Sequence, residues 1–289
     1  MVREQFSIPN TLWSYWESEE PGLPAIVKLC RESWTSNGGF ASVHLLSPDD
    51  IYHFLSPDDL PLRFNEMPPV KKANAVRLAV LAKHGGYWCD AGVLTTDSIA
   101  CWVKEKASAT GFFVFQDVDS SRALDTWFIA GSTDSPFLQE WHRLYQKFFD
   151  RKRIHEAHSL SKTPYPLATH LIVAINKVLG FSVTRRAAWA RFPLSCVPMY
   201  PYFIMHYLAN SMLAKKTFKR EFSNMEKIGA ARALRIRSLL DQGNLTQANA
   251  YAAKNEVPIH KLNTYRKYTS EELSTLARLL SPSASEAVE

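Results

Sequence analysis

The sequence predicts an α/β fold, a sheet flanked by helices with further helices toward the carboxyl end, and three observations carry that reading. Strand-like and helix-like segments alternate over residues 1–150, the pattern of a sheet built by crossovers. Residues 71–97, KKANAVRLAVLAKHGGYWCDAGVLTTD, set an amphipathic helix, a Gly85-Gly86 turn and an aromatic-apolar strand ending on Asp90 in series. Beyond residue 150 the apolar spacing becomes helical.

Each element has its own justification. Residues 8–16, IPNTLWSYW, read as a first strand from their aromatic enrichment. Residues 24–36 place Ile26, Val27, Leu29, Cys30 and Trp34 on one helical side. Phe40 to Leu46 alternates as a second strand, and Ser47-Pro48-Asp49-Asp50 has the residues of a helix start. Pro68-Pro69 opens a helix over 70–84, where an early proline is tolerated. Strands follow at 86–90, 111–115 and 126–130, the last closing on Gly131, and a Phe-, Leu- and Trp-rich helix spans 135–150. Helices are expected at 164–181, 202–216, through a basic region at 215–240, and at 244–254. The organisation is then one domain over 1–268, sheet-rich to 150, helical over 151–256 and closed by 257–268. A helix and a polar, disordered tail occupy 269–289.

At 289 residues the chain can bury a sizeable core. Its 12% aromatic content, with eight Trp, supplies core mass or stacking surfaces for bases and sugar rings. A net charge of +6 suits an anionic ligand or surface, but it is too modest and dispersed to indicate nucleic acid. Cys30, Cys89, Cys101 and Cys196 lack ligand spacing and read as reduced thiols. No apolar leader opens the sequence, and no run approaches the ~18 apolar residues of a membrane span. The expectation is a cytoplasmic protein, peripheral to a membrane at most.

The central segment carries the chemistry. A carboxylate at a strand end can face a diphosphate or a sugar, and Arg77 offers a planar two-pronged donor. Asn74, one turn before Arg77, shares its face, and the glycines at 85–86 allow close backbone approach. Taken alone, these residues favour structure over site: arginines in helices are usually solvated, and Gly-Gly usually caps a helix.

The order of segments nevertheless resembles the capsular polysaccharide synthesis protein family. Relatives of that family include initiating α-1,6-mannosyltransferases and clostridial glucosylating toxins. Its members read A-S-D-L-L-R, Y-G-G, then W-L-D-A-T or D-x-D; here stand Ala73-Asn74-Ala75-Val76-Arg77 and Gly85-Gly86-Tyr87-Trp88-Cys89-Asp90-Ala91-Gly92. IPNTLWSYWES, DTWFIAG (125–131) and VPIHKLNTY (257–265) resemble further family segments in the same order.

The resemblance implies a GT-A-like nucleotide-sugar-binding sheet, glycosyl transfer, and Mn²⁺ or Mg²⁺. The donor would be a nucleotide-diphosphate sugar and the acceptor a polysaccharide, glycolipid or protein. It implies Asp90, Arg77 and Asp125 as catalytic residues. Tyr15, Trp16, Asn74, Arg77, Gly86 and Lys261 would bind the donor, and Asp90 with His260 would hold metal. Two departures stand out: Asn74 where relatives carry Asp, and Gly92 where a second carboxylate often sits. A non-catalytic nucleotide- or glycan-binding relative is the rival reading.

Other candidates read as structural. Asp97 is a loop or capping residue, and Asp117-Val118-Asp119 is a turn that could face an acceptor. His170 and His206 are core histidines. Lys215 to Arg220, with Phe218, Phe222, Arg232, Arg235 and Arg237, could dock on an anionic membrane. Asp90→Ala is expected to abolish transfer with little change in melting temperature.

Overall fold

The computed structural model describes residues 7–18, 22–107, 110–116, 122–150, 155–156, 174, 178, 199–200, 202–254 and 256–280. Its strands are β1 (Thr11–Tyr15), β2 (Ser42–Leu46), β3 (Gly86–Cys89), β4 (Val93–Thr95), β5 (Phe112–Gln116), β6 (Leu124–Gly131), β7 (His155–Glu156), β8 (Met199–Tyr200) and β9 (Ile259–Lys261). The amino-terminal helices are α1 (Ala25–Ser36), α2 (Ile51–Phe54), α3 (Pro69–His84), α4 (Ile99–Ala107) and α5 (Pro136–Phe149). Toward the carboxyl end come α6 (Ile204–Met212), α7 (Lys216–Asn224), α8 (Arg235–Asp241), α9 (Leu245–Ala252) and α10 (Ser270–Arg278).

The main sheet has the order β2-β1-β3-β6-β5. β1 lies parallel to both β2 and β3, whereas β6 runs antiparallel to β3 and β5. Alternation of side chains across the pleat divides the core in two. Trp13, Trp88, Val114 and Ile129 face a layer with α3, α5 and α6. Leu12, Tyr87, Phe113 and Phe128 face α1, α4, α8 and α9. The result is the expected α/β architecture, a mixed sheet between helical layers with helices gathered at the carboxyl end.

Three sequence expectations change. The first strand starts at Thr11, because Pro9 has no N–H for a ladder and its carbonyl turns back to Thr11 N at 2.9 Å. α3 is not an amphipathic surface helix: Val76, Leu78, Ala79, Val80 and Leu81 are buried on all its sides, and so are Lys71, Asn74 and Arg77. The basic region 215–240 is two helices, α7 and α8. Between them Ile228 O accepts from Gln116 N at 2.9 Å, so the chain runs extended along the end of β5. The expected helix at 164–181, apart from residues 174 and 178, and the tail at 281–289 lie outside the described residues.

The β1–α1–β2 unit and the α3–β3 passage bring the carboxyl ends of β1 and β3 to one edge. α3 ends at Gly85 (φ 66°) and the chain turns through Gly86 (φ 97°). A Cβ on Gly86 would stand 2.5 Å from Thr11 O, so only glycine lets β3 seat against β1 here. Trp13 Nε1 donates to Gly85 O at 3.0 Å and fixes the same turn. β9 then returns antiparallel to β4, with His260 opposite Leu94, and closes over this edge.

Candidate functional site

In open α/β sheets ligands sit outside the carboxyl ends of the strands. A cleft of about 590 Å³ opens there, inside the range of roughly 300–1,000 Å³ for small-molecule sites. Tyr15, Trp16 and Glu17 reach it from the end of β1, and Asp90, Ala91 and Gly92 from the end of β3. The start of α3, Tyr202, Arg237 and residues 261–265 complete the wall.

Asp90 is the electrostatic centre. Its backbone N–H donates to Trp127 O at 2.8 Å, so the antiparallel neighbour β6 fixes its position. One carboxylate oxygen accepts from Arg77 Nη2 at 2.5 Å and the other from Lys261 Nζ at 3.0 Å. Trp88 Nε1 adds a contact at 3.3 Å. Burial pushes the carboxyl pKa up, but the charges of Lys261 and Arg77 outweigh it and hold it below the usual range. Asp90 keeps 32% of its side chain exposed on the cleft, while Arg77 keeps only 5%. Arg77 is therefore a buried support behind Asp90. It takes a further bond to Asn74 Oδ1 at 3.1 Å, lies 5.0 Å from the Trp88 ring, and is absent from the cleft wall.

The closing segment explains Gly92. Leu262 N donates to Gly92 O at 2.7 Å, and a Cβ at position 92 would meet Thr264 Cγ2 at 2.6 Å and Leu262 O at 3.0 Å. A side chain at position 92 would therefore have to push residues 262–264 aside. Glu17, the other acid on the wall, is bound by Lys72 at 2.8 Å and by the Tyr15 hydroxyl. Among the described residues no three His, Cys, Asp or Glu side chains converge as metal ligands. A hard divalent cation takes six or more oxygens. This donor set, one carboxylate already shared by two cations, does not fit Mn²⁺ or Mg²⁺ held by protein ligands alone; water and substrate phosphates would have to fill the other positions.

The structure separates several residues expected together. Tyr15, Trp16, Asp90 and Lys261 meet at the cleft. Asn74 props Arg77 instead of facing the cleft, and Gly86 lies at the far end of β3, approaching Thr11. Asp125 is buried, accepting from Trp127 Nε1 at 2.7 Å and Thr126 N at 3.0 Å, with His206 Nε2 at 3.9 Å. His206 is the expected core histidine, also 3.3 Å from Thr126 Oγ1. His260 is 1% exposed and has no partner among the described residues for either ring nitrogen, since strand alternation turns it to the opposite side from Lys261. Burial lowers its pKa to about 4. Asp97 accepts from Ser98 N at the start of α4. Asp117, Asp119, His170 and Cys196 lie outside the described residues; Cys30, Cys89 and Cys101 are free thiols.

In the basic cluster, Lys215, Lys216, Lys219 and Arg220 are exposed, but Phe218 and Phe222 pack 5.9 and 6.4 Å from Phe137. Those rings are partly buried against the core. No helix among the described residues is long and apolar enough to cross a membrane.

Glu17, Lys72, Tyr202 and Tyr265 were not singled out from sequence, and Arg237 entered only as part of the basic cluster. Tyr265, 83% exposed, and Tyr202 present aromatic faces at the rim. Glu17 lies in the WES end of the first aromatic segment and Lys72 in the KKAN start of α3, so both could have been read from those motifs. Arg237 carried no signal beyond its charge.

A mixed α/β sheet with a carboxylate and cations gathered at the ends of two parallel strands defines a cleft for a small polar ligand. The sequence of residues 2–163 matches the capsular polysaccharide synthesis protein family, and the chain belongs to that family. The O-glycosyltransferase braB of Annulohypoxylon truncatum is 25% identical over 167 residues, 52% of this chain. The match spans 40% of that relative's length. A solved structure, PaToxG Glycosyltransferase, superposes at a TM-score of 0.42 with 12% identity, covering 96% of this chain and 87% of that one.

Proposed function

We propose that this protein is a glycosyltransferase that takes a sugar from a nucleotide-diphosphate donor and passes it to a hydroxyl of a polysaccharide, glycolipid or protein acceptor. One observation carries the reading. Asp90 stands at the carboxyl end of β3, on a cleft it shares with the aromatic exit of β1 and with Lys261. Family membership supports the reaction class, and the relative's name, O-glycosyltransferase, supports a hydroxyl acceptor. The sheet order and the position of Asp90 are consistent with a GT-A-like donor site.

In this reading Trp16 stacks on the nucleobase, a contact of about 1–3 kcal/mol. The carboxylate of Asp90, kept ionised by Arg77 and Lys261, accepts hydrogen bonds from sugar or ribose hydroxyls. In the transfer, the acceptor oxygen bonds to the anomeric carbon as the bond to the diphosphate oxygen breaks. The acceptor proton passes to the departing diphosphate or solvent. Fixed positive charge beside that diphosphate favours the step because the charge grows there in the transition state.

The rival, a nucleotide- or glycan-binding module, draws on Gly92 and the filled space beside it. Incubation with a panel of UDP- and GDP-sugars, following release of the nucleoside diphosphate, separates the two. Release from at least one donor, lost in Asp90→Asn, supports transfer. Binding without release supports the module, and neither binding nor release removes the transferase and the nucleotide-binding module, leaving a glycan-binding one.

A further inference from the structure

We infer that the donor diphosphate is neutralised by cations of the chain, Lys261 and Arg237, in place of a divalent metal. The inference rests on the nucleotide-diphosphate reading above. Three independent features of the cleft lead to it.

The first is the space at Gly92. Residues 262–264 stand where a side chain at position 92 would project, with Thr264 Cγ2 at 2.6 Å from an added Cβ. A second carboxylate there would have to displace the Thr264 methyl and press on the Leu262 carbonyl. The same segment delivers Lys261, whose Nζ sits 3.0 Å from Asp90 Oδ2. An ammonium thus lies beside the Asp90 oxygen that a metal would have to share.

The second is the occupancy of the carboxylates. Both Asp90 oxygens accept from cations, and Glu17 is held by Lys72 and Tyr15. A dication placed at Asp90 would face Lys261 and Arg77 at close range, and like charges there repel strongly in a partly desolvated cleft.

The third is the spare donor capacity on the wall. A lysine ammonium has three N–H donors, and the bond to Asp90 uses one. Arg237 lines the same cleft from α8, keeps 40% of its side chain exposed, and among the described residues makes only a 3.6 Å approach to Asp241. Its five donors suit a phosphate.

Titration calorimetry with UDP and GDP, on protein stripped with EDTA and again with added Mn²⁺, tests this. Binding of one nucleotide in EDTA, little changed by Mn²⁺, is expected. In EDTA, Lys261→Ala should bind roughly ten- to hundredfold more weakly, as for loss of a charged hydrogen bond. Lys261→Arg should retain most of the affinity. Arg237→Ala, at an exposed position, gives the same direction should Lys261→Ala fail to fold. Binding that appears only with Mn²⁺ overturns the inference while leaving the nucleotide reading in place. Undiminished binding by both alanine variants also overturns it. No binding under either condition overturns the nucleotide reading and this inference together.

Discussion

Asp90 links stability and function in one side chain. Arg77 is nearly fully buried, and Asp90 is its only carboxylate partner among the described residues. Removing one member of such a pair strands the other, at about 3–5 kcal/mol when the pair is deeply buried. Since Asp90 is partly exposed, Asp90→Ala should lose roughly 2–4 kcal/mol in urea unfolding along with activity. This replaces the expectation of an unchanged melting temperature, because the burial of Arg77 was invisible from sequence. Spacing did show that Asn74 and Arg77 share a helical face, and they do bond. It could not show that this face points behind the site. His260 makes a second residue-scale prediction. Burial lowers its pKa to about 4, from an ordinary value near 6.5. Between those values the unfolded chain binds a proton that the folded chain does not, so stability falls as pH drops through that window. The loss is at most about 3 kcal/mol. Urea unfolding at pH 7 and pH 5 should show a smaller difference in His260→Leu than in the unmodified chain. An equal difference would mean that other groups carry the acid sensitivity.

At the scale of elements, the turn from α3 into β3 sets the site by seating the Asp90 strand against β1. Gly86 has φ 97° and no room for a Cβ next to Thr11 O. Gly86→Ala should cost at least about 2 kcal/mol, seen as a lower urea midpoint at unchanged slope. Gly229→Ala, where an added Cβ meets nothing within 4 Å, should stay within about 0.5 kcal/mol and serves as control. If the two variants unfold alike, the turn does not constrain the strand. β3 was legible because Gly-Gly punctuates a helix and an aromatic run follows. β4 and β9 were not: each has three residues, too few for a period, and they pair across more than half of the chain. The basic stretch at 215–240 misled for a related reason. Charge and apolar spacing suggest a helical region and show no break within it, but the backbone at 228 bonds to Gln116, a long-range contact that overrides local preference.

Across the whole molecule, the cleft is assembled from both ends of the chain. The family match ends at residue 163, whereas Arg237, Lys261 and Tyr265 come from beyond it. Resemblance alone pointed to Lys261 as a donor residue; nothing in its local sequence places it 3.0 Å from Asp90. Backbone bonds hold the closing segment, among them Leu262 N to Gly92 O at 2.7 Å and Lys261 N to Ala233 O at 2.9 Å. They tie the turn after β3 to the segment leading into α8. A ligand spanning Asp90 and Lys261 must therefore stabilise both partners of these bonds, and amides that exchange through local opening report such stabilisation directly. Hydrogen exchange with and without the nucleoside diphosphate that binds should show slower exchange at 86–93 and at 259–265 together. α9, which does not line the cleft, should keep its rates wherever it exchanges by local opening. Protection at 86–93 alone would detach the closing segment from the site, and with it Lys261 as a donor-binding residue. Joint protection that disappears in Lys261→Ala, while that variant still folds, would show that one ammonium couples the two ends of the chain through the ligand.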